Sequence, residues 1–429
     1  MQKKTGFPLV VALFLTLQLQ AQQATDTLSV SLPEAEKIFL QKNLQILAAQ
    51  YNVDANEALI KQARSWDNPL VTTDQNIYDG SGKDGKFFAH NSTRGQYYVQ
   101  VTELLRTAGK RNKLAQIATD NTVLAREQFK EVIRNLHYTL RADLIEMSHQ
   151  LKIKKIYTAE VKELQQLIAG MDAELKAGNI ALKDNMRLKA LLFSLENEIV
   201  NVESTILPIQ SELKLLLMRN DSTFIAPRLS YDFGNLTRLQ LPSEDSLKKL
   251  AYTNRPGIRI ADASVTLQEH NLAYQRALAK ADITIGTEYD QHSSYNPNYV
   301  GLTVAIPLNI FNRNEGNIKA ASINLRQQQT LHEIEAYKIQ SEVLESVKTF
   351  LFIQSVNNLD QLDFSEKYND LFQNMMKTYK ARQINLLEFI DFLDAYKDTR
   401  LKLIDQHNKL LKAIENINYS TNTYVLPLQ

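Results

Sequence analysis

LKDNMRLKALLFSLENEIVNVESTILPIQSELKLLLM, residues 182–218, decides how the chain folds. Within it Leu188, Leu192, Leu195, Ile199, Val202, Ile206, Ile209, Leu213 and Leu216 recur in alternating steps of four and three. That is a sustained heptad seam, the pattern that winds a helix around a neighbour. No glycine interrupts it. Pro208 is expected to bend the helix locally, because it removes a backbone donor and crowds the preceding turn. Just upstream stands KAGNIALKD at 176–184, and before it apolar residues return at helical spacing to about Leu114, among them Ile133, Leu136, Leu140, Leu144, Met147 and Leu151. The reading is two very long helices joined at a tight tip near Gly178. A helix of roughly 65 residues spans about 100 Å, too long for a compact domain, so an elongated molecule is expected.

The same order of events occurs twice. Leu32-Pro33-Glu34-Ala35 opens a helix that runs to about Arg64, and Asn68-Pro69 stops it, since the residue before proline avoids the helical region. Tyr97, Val99 and Val101 then alternate with Tyr98, Gln100 and Thr102, which is strand spacing; Leu70 to Tyr78 is a weaker strand. The glycine-rich stretch 79–85 between them matches no phosphate loop and reads as an exposed hairpin loop. In the second half Leu241-Pro242-Ser243-Glu244 starts a helix to about Lys280. Ile283, Ile285, Thr287 and Tyr289 form a strand, and Val300, Leu302, Val304 and Ile306 another. A long helix from Gly316 leads to a second tip near Arg382, and a last helix runs to about Tyr419. The expected organisation is a duplication. Residues 22–220 form the first repeat, with its β-hairpin at 70–105. Residues 221–241 are an irregular linker, and 242–429 the second repeat, with its β-hairpin at 282–308.

The 429 residues carry a net charge of +1, which gives no electrostatic case for nucleic acid as a partner. The chain has no cysteine, which excludes disulfides, thiolate metal sites and a lipid attached at cysteine. Lys3 and Lys4 followed by the apolar run Pro8 to Leu19 and a small residue at Ala21 read as a signal peptide over residues 1–21, with a retained anchor as the alternative. No later stretch reads as a transmembrane helix.

The strands read as about 9 to 11 residues with one apolar and one polar face, the pattern of a membrane barrel strand. Four strands cannot close a barrel, and an open edge in lipid leaves backbone groups unpaired at several kcal/mol each. A membrane barrel would therefore need several chains. The alternative is a soluble four-stranded sheet packed on helices. The fold class expected is mainly α with a small β part.

In this order and spacing of elements the sequence resembles the TolC-type outer-membrane efflux proteins, over nearly the whole mature chain. The resemblance rests on Asn68-Pro69 closing the first helix, on Val304-Ala305-Ile306-Pro307-Leu308 with Phe311 and Gly316, and on the tips Ala177-Gly178-Asn179-Ile180 and Leu386-Leu387-Glu388-Phe389-Ile390-Asp391. The tip wording is similar to the heavy-metal-efflux branch. The resemblance implies a homotrimer whose chains give four strands each to one 12-stranded barrel in the outer membrane. It implies helices that continue as a coiled-coil tunnel in the periplasm, a periplasmic adaptor at the tips and an inner-membrane pump. The duct would conduct passively, with no enzyme activity and no cofactor. It places adaptor contacts at Gly178, Ile180 and Leu182 and at Ile384 and Leu386. It places an acidic periplasmic gate at Glu388 and Asp391, with Asp184 matching Glu388 in the other half. Arg382 departs from the pattern, standing where glycine is usual. Ordinary hairpin turns and solvated helix charges are the plain alternatives. The competing function is a secreted periplasmic structural or adaptor-like coiled-coil protein.

Several residues invite other readings. His332 with Glu335, Glu342 with Glu345, and Asp391 with Asp394 resemble metal or catalytic pairs, but helix surfaces this charged produce such pairs by chance, and no metal site is expected. Trp66 fits either a membrane interface or a gap at a helix end. Tyr78, Tyr97, Tyr98, Tyr289 and Tyr299 fit an aromatic girdle or ordinary strand preference.

Overall fold

A computed structural model describes residues 26–80, 85–88, 95–357, 359–381 and 383–428. The signal-peptide reading, most of the glycine-rich loop and Arg382 lie outside the described residues. In chain order the elements are β1 (Thr27–Val30), α1 (Leu32–Lys42), α2 (Leu44–Arg64), β2 (Leu70–Gln75), β3 (Tyr78–Asp79), β4 (Lys86–Phe87) and β5 (Tyr97–Leu105). The helices α3 (Lys110–Lys176) and α4 (Leu182–Leu216) follow, then β6 (Phe224–Pro227), α5 (Phe233–Leu236), α6 (Glu244–Asn254) and α7 (Pro256–Leu278). The chain closes with β7 (Ile283–Asp290), β8 (Tyr299–Ala305), α8 (Glu315–Val356), α9 (Leu359–Lys380) and α10 (Leu386–Thr421). The duplicated order is helices, strands, a long helix, a tip and a return helix.

Three expected continuous helices are interrupted. The first breaks at Asn43, whose buried side chain accepts from the backbone N–H of Gln45 (2.9 Å) and Ile46 (3.2 Å) and donates to the Leu216 carbonyl (3.0 Å). An asparagine that caps a new helix competes with continuation of the old one. The helix expected over 242–280 breaks at Arg255, extended at φ −72° and ψ 129°, because Pro256 follows it. The helix expected from Gly316 to the second tip ends at Val356 and resumes at Leu359. By contrast α4 runs through Pro208 unbroken. The linker is not irregular throughout: β6 pairs in parallel with β1, Thr27 opposite Phe224 and Val30 opposite Pro227, and α5 is capped by Asp232.

The described chain divides into two compact units, and each takes segments from both halves of the sequence. The first takes its described residues from 26–47, 132–254 and 339–428. Its core is the heptad seam: Leu188, Leu195, Val202, Ile206, Leu213 and Leu216 are buried, and Leu192, Ile199 and Ile209 pack against them. Leu140, Leu144 and Met147 of α3, Phe39 of α1, Phe350 of α8 and Leu410, Ile414 and Ile417 of α10 complete it. One buried ion cluster is embedded here. The Arg141 guanidinium grips both oxygens of Glu415 (2.8 and 2.5 Å) and also meets Glu36. Removing one partner of such a buried group strands the others, at about 3–5 kcal/mol.

The second unit comprises residues 48–131 and 255–338. Its buried positions are largely small: Ala115, Ala125, Ala261, Ala263, Ala277 and Ala321, with Val53, Ile258 and Leu272. Small residues let helices approach closely. Polar contacts join its helices: Asp120 meets His270 (2.5 Å) and Asp262 meets His332 (2.8 Å) in hydrogen bonds, and Glu57 pairs with Arg126 (2.5 Å). Large apolar side chains meanwhile stay exposed: Tyr51 and Leu59 on α2, and Ile323, Leu331 and Ile334 on α8.

Candidate channel elements

The second unit carries one antiparallel sheet in the order β2-β5-β7-β8. Each half supplies two strands, and the β5–β7 contact joins the halves, from Tyr98 opposite Asp290 to Leu105 opposite Ile283. Alternate registers give the sheet two chemically different faces. On one, Val71, Val101, Thr287 and Leu302 form a row across the strands, and Thr73, Val99, Tyr289 and Val300 the next. Leu302 is 80% and Val300 70% exposed. On the other face Thr72, Gln100, Glu288 and Gly301 form one row, and Asp74, Tyr98, Asp290 and Tyr299 another. These polar groups bond across the strands. Glu288 accepts from the Tyr98 hydroxyl (2.8 Å) and the Gln100 amide (3.3 Å), and Asp290 accepts from Gln96 (2.7 Å).

The expected aromatic girdle divides between the faces. Tyr97 and Tyr289 meet on the apolar face with ring centres 6.3 Å apart. Tyr98 and Tyr299 belong to the polar face, and the Tyr299 ring covers Gly301, where a Cβ would come within 2.6 Å of it. The paired strands are six, nine, eight and seven residues long, mostly shorter than the sequence suggests. Both β2 and β8 have only one neighbour among the described residues, so a row of backbone donors and acceptors is left open at each edge.

The helical tips belong to the first unit. Helix α3 closes in a Schellman turn: Gly178 N–H donates to the Leu175 carbonyl (3.0 Å) and Asn179 N–H to that of Glu174 (2.9 Å). Gly178 has φ +75°, the left-handed conformation that favours glycine. The second tip repeats the long-range bond, Gln383 N–H to the Thr378 carbonyl at 3.0 Å. In sequence Arg382 precedes Gln383 as Gly178 precedes Asn179.

Asp184 and Glu388 both occupy the third position of their return helices. Glu388 has a local partner that the sequence reading missed. The Asn385 side chain accepts from the Glu388 N–H (3.0 Å), and the Glu388 carboxylate accepts from the Asn385 N–H (3.3 Å). The signal was present in Asn385-Leu-Leu-Glu388, a capping box. Asp391 is exposed one turn further along. Tyr379 links the hairpins: its ring stacks on Phe389 at 4.4 Å and its hydroxyl meets the Met171 sulfur at 3.5 Å. Burial and the charge of Asp184 both raise the Tyr379 phenol.

Gly178 and Leu182 are exposed, and Ile180 is half-buried. Ile384 and Leu386 lie partly against a cluster of Phe372, Met376, Phe389 and Leu393, so at the second tip the exposed leucine is Leu387. The pairs that resembled metal sites have simpler partners: His332 meets Asp262 at 2.8 Å, and Asp394 meets Lys397 at 3.1 Å. Among the described residues no helix is long and apolar enough to cross a membrane.

The chain combines a two-faced antiparallel sheet with duplicated long helical hairpins, an architecture that matches outer-membrane channels with a helical part. Residues 37–217 match the model of the outer membrane efflux protein family. It is 22% identical over 296 residues to the cobalt-zinc-cadmium resistance protein CzcC of Cupriavidus metallidurans. That match covers 68% of this chain and 66% of CzcC, just under two thirds of the relative. The fold is similar to that of CusC, with a TM-score of 0.72 at 16% identity over 92% of this chain and 93% of that one. It is likewise similar to the Neisseria gonorrhoeae channel MtrE, with a TM-score of 0.70 at 12% identity over 92% and 89%. CusC and MtrE are channels by their descriptions, and the matched family model is one of outer-membrane proteins.

Proposed function

We propose that three copies of this chain share one 12-stranded barrel and act as the passive exit duct of a tripartite efflux or secretion system. The observation that carries the reading is the sheet: apolar on one face, hydrogen-bonded and polar on the other, with β2 and β8 unpaired at its edges. In lipid an unpaired edge costs several kcal/mol per backbone group, and β8 of one copy against β2 of the next removes both edges. The exposed apolar side chains on α2 and α8 give neighbouring copies a further surface to bury.

In this assembly the helical hairpins form a coiled-coil tunnel. A periplasmic adaptor docks at the tips through Gly178, Ile180, Leu182, Ile384 and Leu386, and an inner-membrane pump drives transport. Glu388, Asp391 and Asp184 ring the entrance, where threefold repetition brings like charges together and attracts cations. The chain itself performs no chemical step and uses no cofactor. The repeats 22–220 and 242–429 are the units of the duplication. The resistance named for CzcC makes divalent metal ions the first cargo to test.

The test is incorporation of the detergent-extracted chain into planar bilayers. Discrete conductance steps from a membrane-fraction protein are expected. Recovery of a soluble protein from periplasm, without channel activity, would contradict the duct and favour the secreted coiled-coil alternative.

A further inference from the structure

One cavity of about 130 Å³ lies at the end of the sheet, formed within the second unit. Trp66 and Asp67 come from the segment before β2, Leu104 and Arg106 from the end of β5, and Gly109 and Arg111 from the start of α3. Its volume is about ten times the roughly 10–15 Å³ that one water needs, so a polyatomic group fits.

The charges around it do not cancel. Arg106 is held by Asp67 through two bonds of 2.8 and 2.7 Å, and Lys110 pairs with Asp282 at 2.7 Å. Arg111 and Lys113 have no carboxylate partner among the described residues. The Arg111 guanidinium lies over the Trp66 ring at 3.6 Å, which fixes its plane, and its Nη1 is buried without a hydrogen-bond acceptor. The N-terminus of α3, a 67-residue helix whose first-turn residues Arg111 and Asn112 line the cavity, adds positive potential on the same side. A planar guanidinium without a carboxylate partner and a helix N-terminus, both lining the cavity, together suit a tetrahedral oxyanion.

The surroundings are apolar. Trp66 is 63% exposed, and at this same end of the sheet Leu308 and the fully exposed Phe311 follow β8. Tryptophan beside an exposed apolar strand face is the composition of a membrane interface, and basic pockets there hold lipid headgroups.

We propose that this pocket binds the phosphodiester of a glycerophospholipid, with Arg111 as its principal ligand and Trp66 as the platform that orients Arg111. The lipid source rests on the sheet being in the membrane; the oxyanion chemistry does not.

Trp66 is the only tryptophan in the chain, so its fluorescence reports this site alone. The detergent-extracted protein is titrated with dioctanoyl phosphatidylglycerol, with dioctanoylglycerol and with inorganic phosphate. A saturable change with the phospholipid is expected, with dioctanoylglycerol and free phosphate each at least tenfold weaker. Arg111→Gln should raise the half-saturation point at least tenfold and Arg111→Lys by less, while Arg326→Gln on α8 should match the unaltered protein. Equal response to dioctanoylglycerol would overturn phosphate recognition. Equal affinity for free phosphate would overturn the lipid source, and an unchanged Arg111→Gln titration would overturn the role of Arg111. A chain that stays soluble without detergent would instead contradict the membrane reading itself, and the same preparation shows which has failed.

Discussion

Glu160 of α3 is 7% exposed, and neither carboxylate oxygen has a hydrogen-bond partner. It faces Leu164, Phe372, Met376, Phe389 and Leu393 around a small cavity of about 10 Å³ beneath the tips. The cations nearby are engaged elsewhere: Lys397 with Asp394 (3.1 Å), and Arg400 with the Tyr396 hydroxyl (3.0 Å). Burial, first, and the charges of Glu163 and Asp394 push its carboxyl up to about 7, while Lys397 and Arg400 oppose the shift. The folded protein therefore holds this proton more tightly than the unfolded chain does. The contribution of Glu160 to stability is greatest in acid and falls as pH rises from the ordinary carboxyl value of 4.5 to about 7. The full loss is about 3 kcal/mol per chain. Glu160→Gln keeps the shape and removes the charge. Chemical denaturation of the detergent-extracted protein, followed by circular dichroism, should find the variant equal to the parent near pH 4. It should be more stable by up to about 3 kcal/mol per chain at pH 8. Other titrating carboxyls, such as Asp143, raised by burial to about 6, are common to both proteins and cancel in the comparison. A difference that does not change between the two pH values would refute the argument, as would a variant less stable at pH 8.

Leu302→Arg puts a charge in the middle of the apolar face and should cost about 2–4 kcal/mol per chain; the yield of membrane-inserted protein checks this, with Gln100→Leu on the polar face expected to insert normally. Replacing Glu388 and Asp391 together with alanine should raise single-channel conductance and weaken block by divalent cations, and unchanged conductance and block would remove both from the gate. Singly, Glu388→Ala should also cost a few tenths of a kcal/mol, because it loses the Asn385 N–H bond to its carboxylate while keeping the Asn385 cap, read as faster hydrogen exchange at the start of α10, whereas Asp391→Ala should not. Gly178→Ala meets open space but a left-handed backbone, so it should cost about 1–2 kcal/mol at the first tip, again read by exchange, with Gly178→Asn much milder.

The helical part was legible because burial and sequence period coincide: all nine seam residues lie in the core or against it. Strand alternation was legible for the same reason, since Val300, Leu302 and Val304 share the exposed face. The breaks were harder. Arg255-Pro256 carried a readable stop, but Asn43 interrupts its helix through the carbonyl of Leu216, 173 residues away, and no local pattern encodes such a partner. The β5–β7 pairing likewise joins segments about 190 residues apart. At the tips, spacing placed Asp184 and Glu388 at matching positions. It could not say that Leu386 would turn inward and Leu387 outward, because adjacent helical residues differ by about 100° in direction and packing chooses between them.

Closure of the open sheet edges by neighbouring copies requires several chains in one complex. The measurement that tests it most directly is the mass of the detergent-extracted complex by light scattering with the detergent subtracted. Three chains of 49.0 kDa each, less any segment removed on export, are expected. A stable monomer would leave β2 and β8 unpaired in lipid, and would contradict the shared barrel.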